Sequence, residues 1–522
     1  MRIKNMISKL LVAFLFFVLC NPLKNGYAQN KEHGDLEVQV SSITAFSTQG
    51  YLPTWISANQ YGIFDDSRSN FLIRPSITYK DSLNKSWSFS FGVDAIVDSR
   101  IGDSRIQQAY GEINYKSFMF LVGIKETDFY NHMGALTSGS FMNSRNNRPF
   151  PTIAFGFPEY TNLPLTNGYV QIKGVFEQSV LEEDRHVSNP LLHRKNFYIK
   201  SNKLPVNVFV GAAHQVMFGG SRDGVDYTPS FKDYLKIIMG SSGGETATGG
   251  EATNRLGDHM GYFDFGLEVD RDDFTLIGYL QKPFEDGSGY HKFFRRNNDR
   301  FFGLGYTSKQ KKIISSILYE NIYTKFQSGE GIPDPTDKYP EEESNFGHSF
   351  GGRDDYYNNY IYKSGSTYKG NVIGNPLFLT SRRAGYYFDQ VQDEYGYIVN
   401  NRIIAHHFAI NGWLNSKLSY KLFYTYTDNY GTYAGLNQGR YEWESMNPDR
   451  DPYNDGSTTY QFQDGLIQNS ILLEGKYHFE KSPIILKASV GFDFGDMTNN
   501  FGMLLGLKWT FSDLLKKTAN EK

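Results

Sequence analysis

The stretch Phe501-Gly502-Met503-Leu504-Leu505-Gly506-Leu507-Lys508-Trp509-Thr510-Phe511 decides the fold. One parity is apolar throughout: Phe501, Met503, Leu505, Leu507, Trp509 and Phe511. The other holds Gly502, Leu504, Gly506, Lys508 and Thr510. Alternation with a period of two, sustained this long, is the mark of a β-strand with one greasy face. The preceding segment repeats it, with Ile484, Leu486, Ala488, Val490, Phe492 and Phe494 set against Ile485, Lys487, Ser489, Gly491 and Asp493. Before that, Ile471, Leu473, Tyr477 and Phe479 oppose Gln468, Ser470, Glu474, Lys476 and His478. Strands of globular sheets average about 5–6 residues, whereas a tilted strand needs about 9–11 to cross a bilayer. These segments are of the longer kind and end in aromatics, as the girdles of membrane barrels do. A soluble sandwich also buries one strand face. The number of strands and the N-terminal segment weigh for the membrane.

Composition points the same way. The 522 residues include 41 Phe, 37 Tyr and 5 Trp, yet apolar residues make up only 39%. Mean hydropathy is -0.48. No run of about 20 apolar residues exists, so a helical membrane protein is excluded. The aromatic content excludes disorder. A net charge of -3 offers no basic excess for phosphates, so no nucleic-acid partner is expected.

Arg2, Lys4 and Lys9 precede the short apolar run Leu10–Cys20, and Gly26-Tyr27-Ala28 supplies small residues at a cleavage site. Residues 1–28 therefore read as a signal peptide, 29–511 as the barrel and 512–522 as a polar tail. The single cysteine, Cys20, lies in the leader, so no disulfide is expected and a closed sheet must supply stability.

Eighteen candidate strands follow: 36–46, 70–80, 86–97, 105–115, 118–126, 150–157, 168–178, 194–200, 205–213, 261–269, 273–282, 300–307, 313–324, 403–414, 418–428, 467–479, 484–494 and 501–511. With the last strand running to the periplasm, the short turns fall inside and the long segments 214–260, 325–402 and 429–466 fall outside. Segment 150–157 lacks clear alternation and is included by inference, because the parity of the loops requires that it, or another segment between 127 and 167, cross the membrane. A charge on the lipid face at mid-membrane costs roughly 2–4 kcal/mol, so Lys487, Asp493 and Lys508 must face the lumen. Pro229-Ser230 followed by Phe231, Tyr234, Leu235 and Ile238 marks the start of one short helix.

Catalytic motifs are missing, and no enzyme activity is expected. His406 and His407 are adjacent on a strand and point to opposite faces, so they cannot share a metal. The loop Asn447–Gly456 fails the calcium-loop spacing. No metal or cofactor is expected. Asn143, Arg145, Asn146 and Arg148 combine amides with guanidinium groups, whose planar paired donors suit sugar hydroxyls and uronic carboxylates. A buttress inside the barrel is the alternative for that cluster. Tyr433, Arg440, Tyr441 and Trp443 offer stacking surfaces for sugars in the 429–466 loop. Arg295 and Arg296 suit lipopolysaccharide phosphates at the rim, or an anionic glycan.

The string Leu136–Pro151 (LTSGSFMNSRNNRPFP), with Pro158-Glu159-Tyr160 and Pro164, resembles the capsule-assembly family of the Wzi type. So do Leu52-Pro53-Thr54-Trp55-Ile56-Ser57-Ala58-Asn59-Gln60-Tyr61-Gly62, in the manner of Bacteroidetes-like members, and Asn189–Lys195. Asn147 and Phe150 stand where the family has alanine and isoleucine. The resemblance implies an outer-membrane barrel that acts as a lectin for capsular or exopolysaccharide. The sequence shows no set of helices for the periplasmic bundle some members carry, and eleven residues follow the aromatic Phe511. A porin or polysaccharide export channel is the alternative. Expected partners are the polysaccharide, outer-membrane lipid and lipopolysaccharide, and the barrel-assembly machinery, with the barrel acting as a monomer.

Overall fold

The computed structural model describes residues 34–240, 257–285, 298–327, 355–389, 391, 397–432, 461–462, 464–480 and 482–511. Residues 1–33, which include the expected signal peptide, the tail 512–522, Arg295, Arg296, Tyr433, Arg440, Tyr441, Trp443 and the loop 447–456 lie outside the described residues.

Eighteen long strands are found among the described residues. They are β1 Asp35–Ser47, β2 Asn70–Ser82, β3 Trp87–Asp98, β4 Arg105–Tyr115, β5 Phe118–Ile124, β6 Thr152–Asn162, β7 Val170–Val180, β8 Leu191–Ser201 and β9 Asn207–Phe218. After these come β10 Asp258–Asp270, β11 Phe274–Phe284, β12 Arg300–Ser308, β13 Ser316–Tyr323, β14 Ile403–Trp413, β15 Leu418–Asn429, β16 Leu466–His478, β17 Ile484–Gly495 and β18 Asn500–Thr510. Each pairs antiparallel with its sequence neighbours, and β18 closes on β1 with Ala45 opposite Leu504. The sheet thus has no free edge, which removes the need for any other cover of strand backbone in lipid. The weakly patterned segment near 150–157 does cross: β6 pairs with β5 and β7, with Phe155 opposite both Phe120 and Phe176.

The parity read from sequence is the parity of the wall. Leu505, Leu507 and Trp509 are exposed on the outside, while Leu504 and Asn500 are buried within. Lys487 turns inward to Glu474 at 2.9 Å, and Asp493 is buried in the lumen. His407 points inward to the Thr425 hydroxyl (2.7 Å) and the Leu136 carbonyl (2.9 Å), whereas His406 points outward to the Tyr319 hydroxyl (2.9 Å).

The outer segments correct a simple reading of loops as lying above the barrel. Three of them fold down into it. The β1–β2 loop (48–69) brings Leu52, Trp55, Ile56, Ile63 and Phe64 against inward residues of distant strands, among them Ala45, Leu72, Leu318, Ala409, Phe423, Leu472 and Leu504. The β5–β6 loop brings Tyr130, Phe141 and Met142, and the segment from Asp355 brings Tyr356, Tyr357, Val372 and Phe378, against Ala213, Met260, Tyr262, Phe301, Ile322 and Ala405. A lumen wide enough for water is here packed with apolar side chains, because an 18-strand circle is too large for the wall's own side chains to fill. Two facing glycines receive the first loop. Gly491 and Gly502 are cross-strand partners, and a Cβ at either would meet Ile56 or Pro53 at 2.7 and 2.6 Å. Thr54 then donates its N–H and hydroxyl to Asp493 at 2.8 and 3.0 Å.

Candidate functional site: the extracellular mouth of the plugged barrel

The site rests on the upper surface of this plug. Trp55 bolts it to the wall: its indole N–H donates to Thr425 at 2.9 Å, and its ring meets Phe423 edge-on at 5.4 Å. Through His407 the same threonine is tied to Leu136 of the second loop. Above the bolt, Tyr51 of the first loop stacks on Tyr386 of the third at 5.2 Å and 11°. Tyr387 meets Tyr51 edge-on at 5.6 Å. Arg383 lies 5.5–5.8 Å from the centroids of all three rings. It donates to the Tyr387 hydroxyl at 2.7 Å and to the Leu52 carbonyl at 2.8 Å. Asp66 joins Arg382 (3.1 Å) and Arg383 (3.4 Å). Burial works against the charge of Arg383, but Tyr387, Asp66 and Asp493 hold its pKa above the ordinary value. A rigid aromatic and guanidinium surface of this kind suits the apolar face and hydroxyl rim of a sugar ring.

The sequence-predicted cluster is split by the fold. Asn143 is buried, and its backbone pairs with Ser140 in a tight turn, the carbonyl accepting from the Ser140 N–H at 3.0 Å. Arg145 turns to Asp128, its Nε at 2.8 Å from the carboxylate. These two hold the second loop in shape. Asn146 donates to the Val372 carbonyl at 3.2 Å and lines a cavity of about 50 Å³ with Thr54, Asp66, Asn371, Arg382 and Arg383. Arg148 packs beside Gly62 and Asn371 at the edge of that group. Its Nε is buried without a hydrogen-bond partner among the described residues. Burial pulls its guanidinium below the ordinary value, Tyr368 opposes this, and Arg382 adds repulsion. Nearby Arg105 bonds the carbonyls of Gly62 and Ile63, at 2.9 and 3.1 Å, rather than a carboxylate. The mouth thus brings Asn146 and Arg148 together with Arg382, and separates them from Asn143 and Arg145.

Sequence reading missed Tyr51, Asp66, Arg382, Arg383, Tyr386 and Tyr387. A signal was present in Ser381–Phe388 (SRRAGYYF), which mixes arginines and aromatics as the sequence around Arg295 and Arg296 (HKFFRRNNDR) does. The partner Tyr51 comes from more than 300 residues away and carried no local mark.

Fold and mouth together define a class: an outer-membrane β-barrel of eighteen strands, closed by its own outer loops and presenting a polar, aromatic surface to the outside. Residues 43–310 match the family model described as capsule assembly protein Wzi. The chain belongs to that family. Among solved structures it is similar to Escherichia coli Wzi, described as an outer membrane protein involved in group 1 capsule assembly and a carbohydrate-binding β-barrel. That match has 13% identity, covers 91% of this chain and 84% of the other, and has a TM-score of 0.51. It is also similar to Pseudomonas aeruginosa OccK5 (7% identity, 92% and 99% covered, TM-score 0.44) and OprD (8%, 94% and 99%, 0.43). No curated protein matches the chain.

Proposed function

We propose that this protein binds capsular or exopolysaccharide at the extracellular mouth and so attaches or organises it at the cell surface, without catalysis. The observation that carries this is Arg148. Its guanidinium is half-buried beside Gly62 and Asn371, close enough to Arg382 to be repelled by it, and pairs with no carboxylate among the described residues. An arginine left so is ready for a carboxylate or a sugar hydroxyl from outside. Membership of the capsule assembly family supports the reading, and the carbohydrate binding ascribed to E. coli Wzi is in keeping with it. The filled lumen counts against the porin alternative.

In this reading Asn146, Arg148, Arg382 and Tyr386 touch glycan, while Asn143 and Arg145 support the loop that carries Arg148. Tyr433, Arg440, Tyr441 and Trp443 of the 429–466 loop extend the contact, and Arg295 and Arg296 meet lipopolysaccharide or anionic glycan at the rim. The chain reaches the outer membrane after cleavage near Ala28, is inserted by the barrel-assembly machinery and works as a monomer. The test is binding of the host's own polysaccharide to the purified barrel by calorimetry, with Arg148→Gln and Arg145→Gln compared. Arg148→Gln should weaken binding about 10–100-fold, the loss of one charge-assisted contact of roughly 1.5–3 kcal/mol. Equal binding by wild type and Arg148→Gln, or no binding by either, would refute the proposal.

A further inference from the structure

The outer wall carries a helix that the barrel does not need for closure. Between β9 and β10 the chain turns back as α1, Phe231–Met239. Ser230 caps its start, accepting from the Asp233 N–H, and Gly240 ends it in the left-handed region at φ 66°. The parity of β7, β8 and β9 places this helix on the lipid side. Val216 and Phe218 share the outward face with Val208 and Val210, which are exposed. Yet Val216 and Phe218 are buried, because Ile237, Tyr234 and Leu191 cover them. The Tyr234 hydroxyl donates to the outward Gln178 at 3.1 Å. The outward Lys195 donates its ammonium to the Ile238 carbonyl, a cation at the negative end of the helix. The helix is thereby clamped across three strands, at the level of the first few residues of β8.

Its free face is the unexpected part. Phe231, Leu235 and Met239 follow at intervals of four, so they form one stripe. Phe231 is 76%, Leu235 45% and Met239 75% exposed. Lys232 is exposed beside the stripe, and Val225 and Tyr227 continue the apolar surface from the preceding turn. A helix facing water would carry polar residues there. The neighbouring wall answers why it does not: Phe155 and Phe197 are exposed on the same face, where only lipid can cover them.

We propose that α1 is an interfacial helix which sinks its Phe231–Leu235–Met239 stripe into the acyl chains of the outer leaflet and sets Lys232 against a headgroup phosphate. A segment that hydropathy places among the outer loops thus returns to the membrane and makes a lateral lipid-binding shelf on one side of the barrel. This shelf depends on the barrel fold and is independent of glycan binding.

The sequence is suited to the test, since its one cysteine, Cys20, falls in the segment read as a cleaved leader. Nitroxide labels at Phe231→Cys, Leu235→Cys and Met239→Cys, in vesicles of phosphatidylethanolamine and phosphatidylglycerol, would be read for collision with oxygen and with a water-soluble nickel chelate. Val210→Cys serves as the lipid-facing reference and Arg271→Cys as the aqueous one. The three stripe positions should resemble Val210→Cys, with oxygen collision several-fold above nickel. Lys232→Cys should move toward the aqueous reference. Nickel-dominated collision along the stripe would overturn the proposal. So would spin–spin broadening between copies, which would assign the stripe to a second barrel instead of lipid.

Discussion

Replacing Trp55 by alanine should unlock the plug without unmaking the barrel. Trp55 is 2% exposed and sits midway down the lumen against His407 and Phe423. A buried Trp→Ala change costs about 3–5 kcal/mol through lost contacts and the cavity left behind. The Thr425 hydroxyl also loses a donor, at about 1 kcal/mol. The eighteen-strand ladder contributes none of this, since Trp55 lies in the β1–β2 loop. At tenfold per 1.4 kcal/mol, the combined loss of about 4–6 kcal/mol should make excursions of that loop from the lumen roughly seven hundred- to twenty thousand-fold more frequent. The assay is single-channel recording in planar bilayers. The wild-type barrel should stay closed, and Trp55→Ala should flicker open while its gel mobility remains that of a folded barrel. A large steady conductance in the wild type would refute the plug. An unchanged closed trace in Trp55→Ala would refute the bolt.

Leucine at Gly491 should eject the same loop by filling the recess that holds Ile56 and Pro53, and protease cleavage within 48–69 of the folded barrel would report it. Among the described residues Glu474 is the one carboxylate meeting Lys487, Lys476 and Lys421, at 2.9, 3.2 and 3.8 Å, with Lys476 directly across from Lys487. Glu474→Gln should therefore lower barrel stability in urea, toward the lower end of about 3–5 kcal/mol because Lys476 is partly solvated. An unchanged unfolding midpoint would count against it. The third plug segment should tighten in acid. Burial pushes Asp299 up to about 7 and Asp355 up to about 6, and Asp299 accepts from the Tyr356 hydroxyl at 2.8 Å. A carboxyl with a raised folded-state pKa stabilises fully below its ordinary value of 3.8, and the effect is lost as pH rises through about 6 to 7. Amide exchange in 355–378, corrected for intrinsic rates, should be slower at about pH 5 than at about pH 8, and the reverse order would contradict the assignment.

The wall was legible because a strand in lipid obeys a local rule. Phe501 to Phe511 alternates since every second side chain must meet acyl chains, and no distant residue alters that. The same rule turned Lys487 and Asp493 inward and set His406 and His407 on opposite faces. Even β6, whose own alternation is weak, was inferred from the parity of the loops. The plug obeys no such rule. Trp55 is buried against Phe423, more than 300 residues away, and Phe141 and Tyr357 pack on one another across 216 residues, while their segments carry the Pro, Gly and Asn content of ordinary outer loops. For the same reason the cluster at 143–148 announced its donors in sequence but not their partners. Asp128 takes Arg145, while the Arg148 Nε is buried without a partner among the described residues. Sequence alone determined the barrel, its topology and the faces of those strands whose alternation is clear. Only the tertiary structure decided that the lumen is filled, that Tyr51 meets Tyr386, and that one outer helix lies back against the lipid. Those contacts are set by which loops the circumference of eighteen strands can admit, and that is a property of the closed sheet rather than of any segment in it.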